Sequence, residues 1–513
     1  MSTPDHNLFT ALRGAFPARL DAVAIETADT PLPLLYTWHD LDRGTAMMAN
    51  LLASLGLPEG ARVAVQVDKS VEALMLYLAV LRAGYVYLPL NNGYQSAEIE
   101  YFIGNAEPAV VVCAKRNFGW VSKIAFLAGT RHVYTLDEDR SGTLLDRAAH
   151  HGDTHVPVAR DSGDLAAILY TSGTTGRSKG AMLTHGNLLS NAQVLHRVWG
   201  WTADDVLIHA LPIFHVHGLF VASHGALLAG AKMIWFARFD PAAVVERLPQ
   251  ASIFMGVPTL YVRLLSEPRL TRDTCRSMRL FISGSAPLLI ETFTDWQRRT
   301  GHTILERYGM SETVMLTSNP YAPAADRRGG TVGTPLPGVQ LRVVSDKGLP
   351  MGTGEVGGVE VKGPNVFKGY WRMPEKTADE FTTDLWFKTG DVGRIDADGV
   401  LTIVGRSKDL VISGGYNVYP AEIEALLNEL PGVAESAVVG VPHRDFGEAV
   451  VAVVVPRPGA ALDTAAMIAA VKSRIAGFKV PKQLFVVEEL PRNAMGKVQK
   501  NLLREQHKAL FAG

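Results

Sequence analysis

Hydrophobic segments of two lengths alternate through the first part of the chain. Short apolar runs at 61–67, 85–90 and 109–114 are separated by stretches of helical length at 70–84 and 96–105. The short runs predict buried strands and the longer stretches predict helices. Because parallel strands need connections of helix length and are covered on both faces, this order predicts an α/β fold with parallel sheets.

A further buried strand is predicted at 165–173, where LAAILYTSG runs into a glycine-rich turn. Ligands of open α/β sheets collect at the carboxyl ends of such strands. We therefore expect a binding site directly after this strand.

The pattern changes after about Gly329, where short strands alternate with Gly and Pro turns, as in 332–344, 354–363 and 399–405. Such a pattern predicts a distorted antiparallel barrel or meander.

The last part of the chain predicts a separate α+β module. Helices are expected at 421–430 and 464–476, and strands at 437–442 and 449–456. We place the domain boundary at the change of pattern, which gives domains 1–406 and 407–513.

Composition narrows the class of protein. A chain of 513 residues with 47% apolar positions exceeds what one hydrophobic core usually organises. Its 50 basic and 51 acidic residues nearly cancel, so no overall field attracts nucleic acid or an anionic membrane. Cys113 and Cys275 are the only cysteines, which supports neither a disulfide framework nor a thiolate zinc site and fits the cytoplasm. No run of about 18 apolar residues predicts a membrane span.

Residues 171–180, TSGTTGRSKG, have a composition suited to polyphosphate. Glycine lets backbone N–H groups approach phosphate oxygens, hydroxyls donate further hydrogen bonds, and Lys179 or Arg177 offsets charge. A solvated turn remains open as the alternative, since Gly/Ser/Thr loops are common. The segment lacks the spacing of a Walker A loop.

Two other strings resemble sites without the required context. GTGEVG at 352–357 matches GxGxxG, but no helix is predicted to follow it, so we interpret it as a turn. His215 and His217 lie two residues apart without an evident third ligand. The HExxH and GxSxG motifs are absent, so zinc and serine hydrolysis have little support.

Three further strings are YGMSET at 308–313, KTGDVG at 388–393 and PRNAMGK at 491–497. Together with TSGTTGRSKG and with GRSKDLVISGGYNVYP, which begins at Gly405, they resemble in order the adenylate-forming superfamily of acyl-CoA synthetases, adenylation domains and luciferases. The resemblance implies a large N-terminal domain of two stacked, mostly parallel sheets with helices plus a distorted β-barrel. It also implies a small, mobile α+β C-terminal domain.

The resemblance assigns an ATP site. Its residues would be Thr171, Ser172, Gly173, Thr174, Thr175, Gly176, Lys179, Gly284, Ser285, Ala286, Glu306, Arg307, Tyr308, Gly309, Met310, Ser311, Asp391 and Arg406. The loop at 171–179 would hold the β- and γ-phosphates, Tyr308 would stack on adenine, and Asp391 would accept from the ribose hydroxyls. Glu312 would bind Mg²⁺, since a hard carboxylate suits a cation that bridges phosphate oxygens.

The resemblance also assigns the chemistry. Residues implied to take part in it are Lys497, Glu312, Thr171 and His215. The ammonium of Lys497 would bridge the acid carboxylate and the α-phosphate. Lys408 would be the hinge of the small domain. Gly414, Gly415 and Tyr416 would approach coenzyme A.

The implied mechanism has two steps. A carboxylate oxygen attacks the α-phosphorus of ATP and pyrophosphate leaves; the CoA thiol then attacks the mixed anhydride and AMP leaves. The enzyme needs only to position anions and stabilise charge, so no covalent protein nucleophile is expected.

Strings around the expected acid pocket narrow the resemblance to malonyl-CoA synthetases. The implied substrate residues are Arg263, Ser285, Arg307, Met310, Val216 and His215. Arg263 and Arg307 would face the second carboxylate, and Val216 and Met310 would flank the carbon where methylmalonate carries its methyl group. From the residues alone, an exposed helix face for Arg263 and a turn for Arg307 remain open.

The leading hypothesis is a malonate:CoA ligase that uses ATP, Mg²⁺ and CoA, with methylmalonate as a further acid. The alternatives are a ligase for a monocarboxylate, a stand-alone adenylation enzyme that loads a carrier protein, and a nucleotide-binding scaffold. A lysine acetyltransferase and a deacetylase acting on Lys497 are expected as regulatory partners, because acetylation removes the charge.

Overall fold

The computed structural model describes residues 5–29, 32–171, 178–413, 416–493 and 496–511. The strands in chain order are β1 (Val23–Thr27), β2 (Leu35–Thr37), β3 (Arg62–Gln66), β4 (Val86–Pro89), β5 (Val110–Cys113), β6 (His132–Thr135), β7 (Leu165–Thr171), β8 (Lys179–Thr184), β9 (Val206–His209), β10 (Lys232–Trp235), β11 (Ile253–Gly256), β12 (Leu280–Ser283), β13 (Ile304–Tyr308), β14 (Thr317–Ser318), β15 (Thr334–Pro335), β16 (Gln340–Val344), β17 (Gly357–Lys362), β18 (Phe387–Ile395), β19 (Leu401–Arg406), β20 (Val411–Ser413), β21 (Tyr416–Val418), β22 (Val433–His443), β23 (Gly447–Pro456) and β24 (Gln483–Val486).

The helices cover the sheets and connect their strands. They are α1 (Leu8–Gly14), α2 (Trp38–Ser54), α3 (Val71–Arg82), α4 (Ser96–Ala106), α5 (Phe118–Leu127), α6 (Thr143–Ala148), α7 (His185–Val198), α8 (Ser223–Ala229), α9 (Pro241–Arg247), α10 (Pro258–Leu265), α11 (Ile290–Thr300), α12 (Pro374–Glu380), α13 (Pro420–Asn428), α14 (Thr464–Lys472) and α15 (Lys500–His507), with a π-helical segment at His217–Ala222.

The strand–helix alternation near the start of the chain forms a 6-stranded sheet in the order β6-β5-β3-β4-β7-β8. The pairs β3/β4, β3/β5 and β4/β7 are parallel, as predicted, and β7/β8 is antiparallel. Helix α3 is buried on all sides, and its Tyr77 bonds His224 of α8 at 2.8 Å. A helix packed on all sides explains the continuous apolar run at 70–84.

The sequence at both ends of α3 explains where this helix begins and ends. Ser70 caps the first turn by accepting from the backbone N–H of Ala73 at 3.1 Å. Gly84, directly after the helix, has φ +73°, and a Cβ there would lie 2.7 Å from Nε of Arg160. Glycine therefore meets both the backbone conformation and the close approach.

The second large sheet has 9 strands in the order β15-β14-β13-β12-β11-β9-β10-β1-β2. The interior strands from β13 to β1 run parallel, while β14, β15 and β2 are antiparallel at the edges. Its core contains Phe254, Phe281, Tyr261 and Trp296, all fully buried. The carboxyl ends of β9, β11, β12 and β13 therefore meet along one edge of this sheet.

Residues beyond 340 contain the predicted meander and the C-terminal module. A 4-stranded sheet follows the order β16-β17-β18-β19, with antiparallel β17/β18 and β18/β19 pairs. A 5-stranded sheet contains the long β22/β23 hairpin, against which α13 and α14 pack. GTGEVG lies outside any helix and leads into β17, as expected for a turn.

The chain divides into two compact units: Met1–Gln340 with Lys362–Leu385, and Leu341–Val361 with Trp386–Gly513. The meander strands thus group with the C-terminal module. The domain boundary at 406/407 stays a prediction about which residues move together. The mixed α/β fold, with a large N-terminal and a smaller C-terminal part, is confirmed.

Across the described residues, no helix is both long enough and apolar enough to cross a membrane.

Candidate functional site

Most of the predicted acid and nucleotide residues of the first unit lie on or after the parallel strands of the 9-stranded sheet. His215 and Val216 lie after β9, Ser285 after β12, and Met310 and Glu312 after β13. Parallel pairing of β12 with β13 sets Ser283 beside Glu306. The fold therefore brings these separate strings of sequence to one edge of one sheet.

Arg307 is a buried cation. Its side chain lies on β13, and its Nε and Nη2 have no hydrogen-bond partner within the described residues. Burial lowers the pKa of Arg307 to about 9, which still leaves the guanidinium charged at pH 7. A Cβ on Gly284 would lie 2.4 Å from Nη1 of Arg307, so glycine is needed for the arginine to occupy this position. Nothing in the described part of the chain forms an ion pair with it.

His217 is a second buried polar group close to this cation. Both of its ring nitrogens lack a partner among the described residues. Burial, and then the nearby charge of Arg307, hold the pKa of His217 well below its usual range, so the ring is neutral. A neutral imidazole keeps one N–H that can donate to an anion. Sequence reasoning considered His217 only as half of an unsupported metal pair.

The other predicted acid-pocket residues differ in exposure. Val216 is buried; His215, Ser285 and Met310 are half-buried. Ser285 has a φ of +71°, a left-handed conformation that is uncommon outside glycine. Arg263 lies on the exposed face of α10, 4.9 Å above the ring of Phe239. Arg263 is therefore not part of the buried cluster around Arg307.

Thr171 and Lys179 face each other across the β7/β8 pair, at the ends of the predicted phosphate loop. Ser172, Gly173, Thr174, Thr175 and Gly176 lie outside the described residues. The Nζ of Lys179 lies 3.2 Å from Oε1 of Glu380 and 4.2 Å above the ring of Tyr370. The ammonium of Lys179 therefore lies at the start of β8, directly after the predicted phosphate loop.

Glu312 is buried, and its Oε1 accepts from the hydroxyl of Tyr370 at 2.9 Å. Burial, and then the carboxylate of Glu312, raise the pKa of Tyr370, so the hydroxyl stays protonated as a donor. Sequence reasoning missed Tyr370, since a tyrosine in a turn-rich segment carries no signal of this contact.

Glu306 is engaged by backbone groups. Its Oε1 accepts from the N–H of Gly330 at 3.0 Å, and burial raises its pKa to about 8. Successive side chains of a strand point to opposite faces, so Glu306 and Arg307 lie on opposite sides of β13. Tyr308, Gly309, Ser311 and Ala286 are half-buried or exposed along the same edge.

The second unit contains the remaining predicted residues. Asp391 is buried and pairs with Nε of Arg406 at 3.0 Å, opposite it in the β18/β19 register. Lys408 is exposed in the single turn Ser407–Asp409. Tyr416 is exposed and stacks on Phe478 with ring centroids 4.6 Å apart. Gly414 and Gly415 lie outside the described residues.

The backbone of Lys497 is hydrogen-bonded to Asn493. Its backbone N–H donates to Oδ1 of Asn493 at 3.0 Å, and its carbonyl accepts from the N–H of Asn493 at 2.9 Å. Arg492 and Val498 form an antiparallel bridge. The side chain of Lys497 is exposed.

Comparison with known proteins identifies the family to which this chain is similar. The model of the AMP-binding enzyme family matches residues 21–371, and that of the AMP-binding enzyme C-terminal domain matches 422–497. The interval between the two matches contains the predicted boundary at 406/407.

Two curated relatives indicate different acids. The Mus musculus protein named Malonate–CoA ligase ACSF3, mitochondrial, is 36% identical and covers 92% of this chain and 87% of its own. A feruloyl-CoA synthase of Streptomyces sp is 35% identical, with 96% and 98% covered. Among solved structures, ATP-bound MatB from Rhodopseudomonas palustris has a TM-score of 0.96 and 52% identity, covering 99% of this chain and 100% of its own.

Proposed function

The chain belongs to the AMP-binding enzyme family and is an AMP-forming acyl-CoA synthetase, and we propose that it acts as an ATP-dependent malonate:CoA ligase. Malonate, ATP and CoA give malonyl-CoA, AMP and pyrophosphate through a malonyl-adenylate. The named activity of the mouse relative supports malonate as the acid.

The buried guanidinium of Arg307 is the observation that carries this proposal. An unpaired buried charge costs several kcal/mol, and the cost is offset when a ligand brings the opposite charge. The second carboxylate of malonate supplies that charge and matches the fork of a guanidinium. The N–H of neutral His217 provides a further donor. A monocarboxylate would be activated at its single carboxyl group and would leave the cation unneutralised.

In the proposed reaction, the other carboxylate of malonate attacks the α-phosphorus of ATP. The strand ends of the 9-stranded sheet hold the acid, and Thr171 and Lys179 frame the segment that holds the β- and γ-phosphates. Tyr308 stacks on adenine, and Asp391 with Arg406 engages the ribose. Since all reacting groups are oxygen anions, positioning and charge stabilisation supply the catalysis.

Glu312 fits a magnesium ligand as part of a site completed by nucleotide. Across the described residues, no group of three or more His, Cys, Asp or Glu side chains could hold a metal by itself. One buried carboxylate, oriented by Tyr370, leaves the remaining ligands to phosphate oxygens and water, which is how Mg²⁺ is commonly held beside nucleotides. The ion would neutralise charge on the departing pyrophosphate.

The C-terminal module completes the proposal. Lys497, which is exposed, supplies the ammonium that stabilises the adenylation transition state. Lys408 is the hinge about which 407–513 turns before thioester formation, and Gly414, Gly415 and Tyr416 then approach CoA. His215 gates the path of the thiol.

Smaller parts of the proposal concern substituted acids and regulation. Val216, buried after β9, and Met310 decide whether methylmalonate fits. An acetyltransferase and a deacetylase act on Lys497 in the cytoplasm; acetylation would suppress adenylation by removing the charge. Mass spectrometry of the cellular protein, followed by single-turnover assays of the acetylated form, tests this.

The central test measures pyrophosphate release with malonate beside acetate, succinate, methylmalonate and octanoate. Arg307→Met should lower kcat/KM for malonate about 100-fold, because the second carboxylate loses a charged partner. The same variant should keep or gain thermal stability, since it removes a buried charge that has no ion-pair partner among the described residues. Arg263→Ala shows whether the exposed arginine contributes.

Arg327→Met is the matched control, because this buried arginine donates to the carbonyls of Thr303, Pro320 and Tyr321. It should lose stability without changing the preference for malonate. Rapid turnover of octanoate or acetate by the wild type, unaffected by Arg307→Met, would contradict malonate as the acid.

A further inference from the structure

Glu380, the last residue of α12, holds the lysine that begins β8. Its Oε1 lies 3.2 Å from Nζ of Lys179, and the two side chains are only 23% and 21% exposed. Because the pair is largely withdrawn from water, the attraction is screened less than in an ordinary surface ion pair.

The ring of Tyr370 lies beneath the same lysine. Nζ of Lys179 is 4.2 Å above the ring centroid, and the Tyr370 hydroxyl donates to Glu312 at 2.9 Å. Lys179 therefore keeps a cation–π contact that does not depend on Glu380. Loss of the Glu380 contact would leave the ammonium near its present position.

Glu380 has a second cation on its own helix. Nζ of Lys376, one turn earlier, lies 3.1 Å from the same Oε1. If Lys179 turned to another anion, Glu380 would still be paired. The exchange therefore leaves no buried carboxylate without a partner, which is the costly outcome in most broken ion pairs.

We propose that Glu380 is an affinity-determining residue for ATP: it occupies Lys179 while no nucleotide is bound and gives it up to the β- and γ-phosphates. The inference rests on the proposed function, in which Lys179 contacts the polyphosphate. Binding of ATP then includes the cost of breaking the Lys179–Glu380 pair. AMP, which has no β- or γ-phosphate, leaves the pair intact.

Two substitutions follow with opposite signs. Glu380→Gln removes the competing charge, so ATP binds more tightly. Lys376→Met removes one of the two lysines that contact Glu380 and leaves Lys179. The Lys179–Glu380 pair becomes stronger, so ATP binds more weakly. Glu375→Gln is the matched control: it removes the same charge from an exposed position of the same helix.

The experiment measures equilibrium binding of ATP and of AMP to the full-length wild type and the three variants, by calorimetry with Mg²⁺ and without acid or CoA. For Glu380→Gln we expect the Kd for ATP to fall about two- to fivefold, the range of a partly exposed ion pair, with the Kd for AMP unchanged. Lys376→Met should raise the Kd for ATP, Glu375→Gln should match the wild type, and Glu380→Asp should restore most of the wild-type value.

Equal or weaker ATP binding by Glu380→Gln would overturn the inference, and so would an equal gain for AMP, which would place the effect away from the β- and γ-phosphates. Measurements on the wild type distinguish a failure of the inference about Glu380 from a failure of the proposed function. A wild type that binds ATP and turns over malonate upholds that function even where Glu380→Gln changes nothing.

Discussion

Glu306 and Arg307 are neighbours on one strand with opposite electrostatic situations. Arg307 remains charged and without an ion-pair partner among the described residues, whereas burial raises the pKa of Glu306 to about 8. At neutral pH the Glu306 carboxyl is therefore mostly protonated in the folded protein, while its ordinary value is 4.5. A raised carboxyl pKa destabilises the folded state as pH rises from that lower value toward about 8, and the loss is complete above it.

We expect Glu306→Gln to remove this pH dependence. Glutamine is neutral at every pH and can still accept from the N–H of Gly330. Between pH 5.5 and pH 8, the wild type should lose up to about 1.4 kcal/mol of unfolding free energy per pH unit relative to the variant. Urea unfolding at several pH values measures this difference. Parallel stability profiles for the two proteins would show that Glu306 titrates at its ordinary value.

Single residues also show which parts of the candidate site could be predicted from the sequence and which could not. Arg307 stands in the string LERYGMSE, so a resemblance could single it out. His217 lies in an apolar segment, and nothing local tells that both ring nitrogens lack partners, because that depends on what distant strands place around the ring. Arg263 lies exposed over Phe239, and its role beside the acid, which the resemblance implies, stays a prediction.

Among elements, the strands and helices with strong periodicity were predictable. The runs at 61–67, 85–90 and 109–114 are β3, β4 and β5, and the meander and the β22/β23 hairpin also occur as predicted. The π-helical segment His217–Ala222 was not predicted, because all its residues are buried and so give no polar face to reveal a period.

That π-helical segment is supported by a buried lysine from the loop between β3 and α3. Nζ of Lys69 donates to the carbonyls of His209 and Phe236 at 2.8 and 2.7 Å and lies 3.0 Å from Nδ1 of His209. The opposite ring nitrogen of His209 lies 3.0 Å from the carbonyl of Gly218, the second residue of the segment. With Nδ1 accepting from Lys69, Nε2 carries the proton and donates.

Lys69→Met should therefore disturb the segment that carries His217. It leaves buried acceptors without a donor, which should lower the unfolding free energy by about 2–4 kcal/mol and raise the KM for the acid more than that for ATP. Tyr77→Phe is the control, since it removes a buried hydrogen bond to His224 of the adjoining helix α8 but none to His209. Equal effects on acid KM in both variants would indicate general destabilisation instead of a positioning role.

At the scale of the whole molecule, the two divisions of the chain predict different moving bodies. The proposed hinge at Lys408 makes 407–513 the moving part. The compact units group Leu341–Val361 and Trp386–Gly513 together. If that whole unit turned as one body, Asp391 and Arg406 would move with Lys497, and the hinge would lie near 340 and 385.

The substitution Lys408→Pro distinguishes rotation of 407–513 about Lys408 from rotation of the larger compact unit. Proline fixes φ near −65° and disfavours the helical conformation of Ser407 before it, so it restricts the turn Ser407–Asp409. If 407–513 rotates about Lys408, malonate-dependent ATP–pyrophosphate exchange should stay within about threefold of the wild type while malonyl-CoA formation falls at least about tenfold. Lys408→Ala, which keeps the backbone free, should preserve both half-reactions. Unchanged thioester formation in Lys408→Pro would move the hinge away from Lys408 and favour rotation of the larger unit, because a proline inside a rigid body does not obstruct its motion.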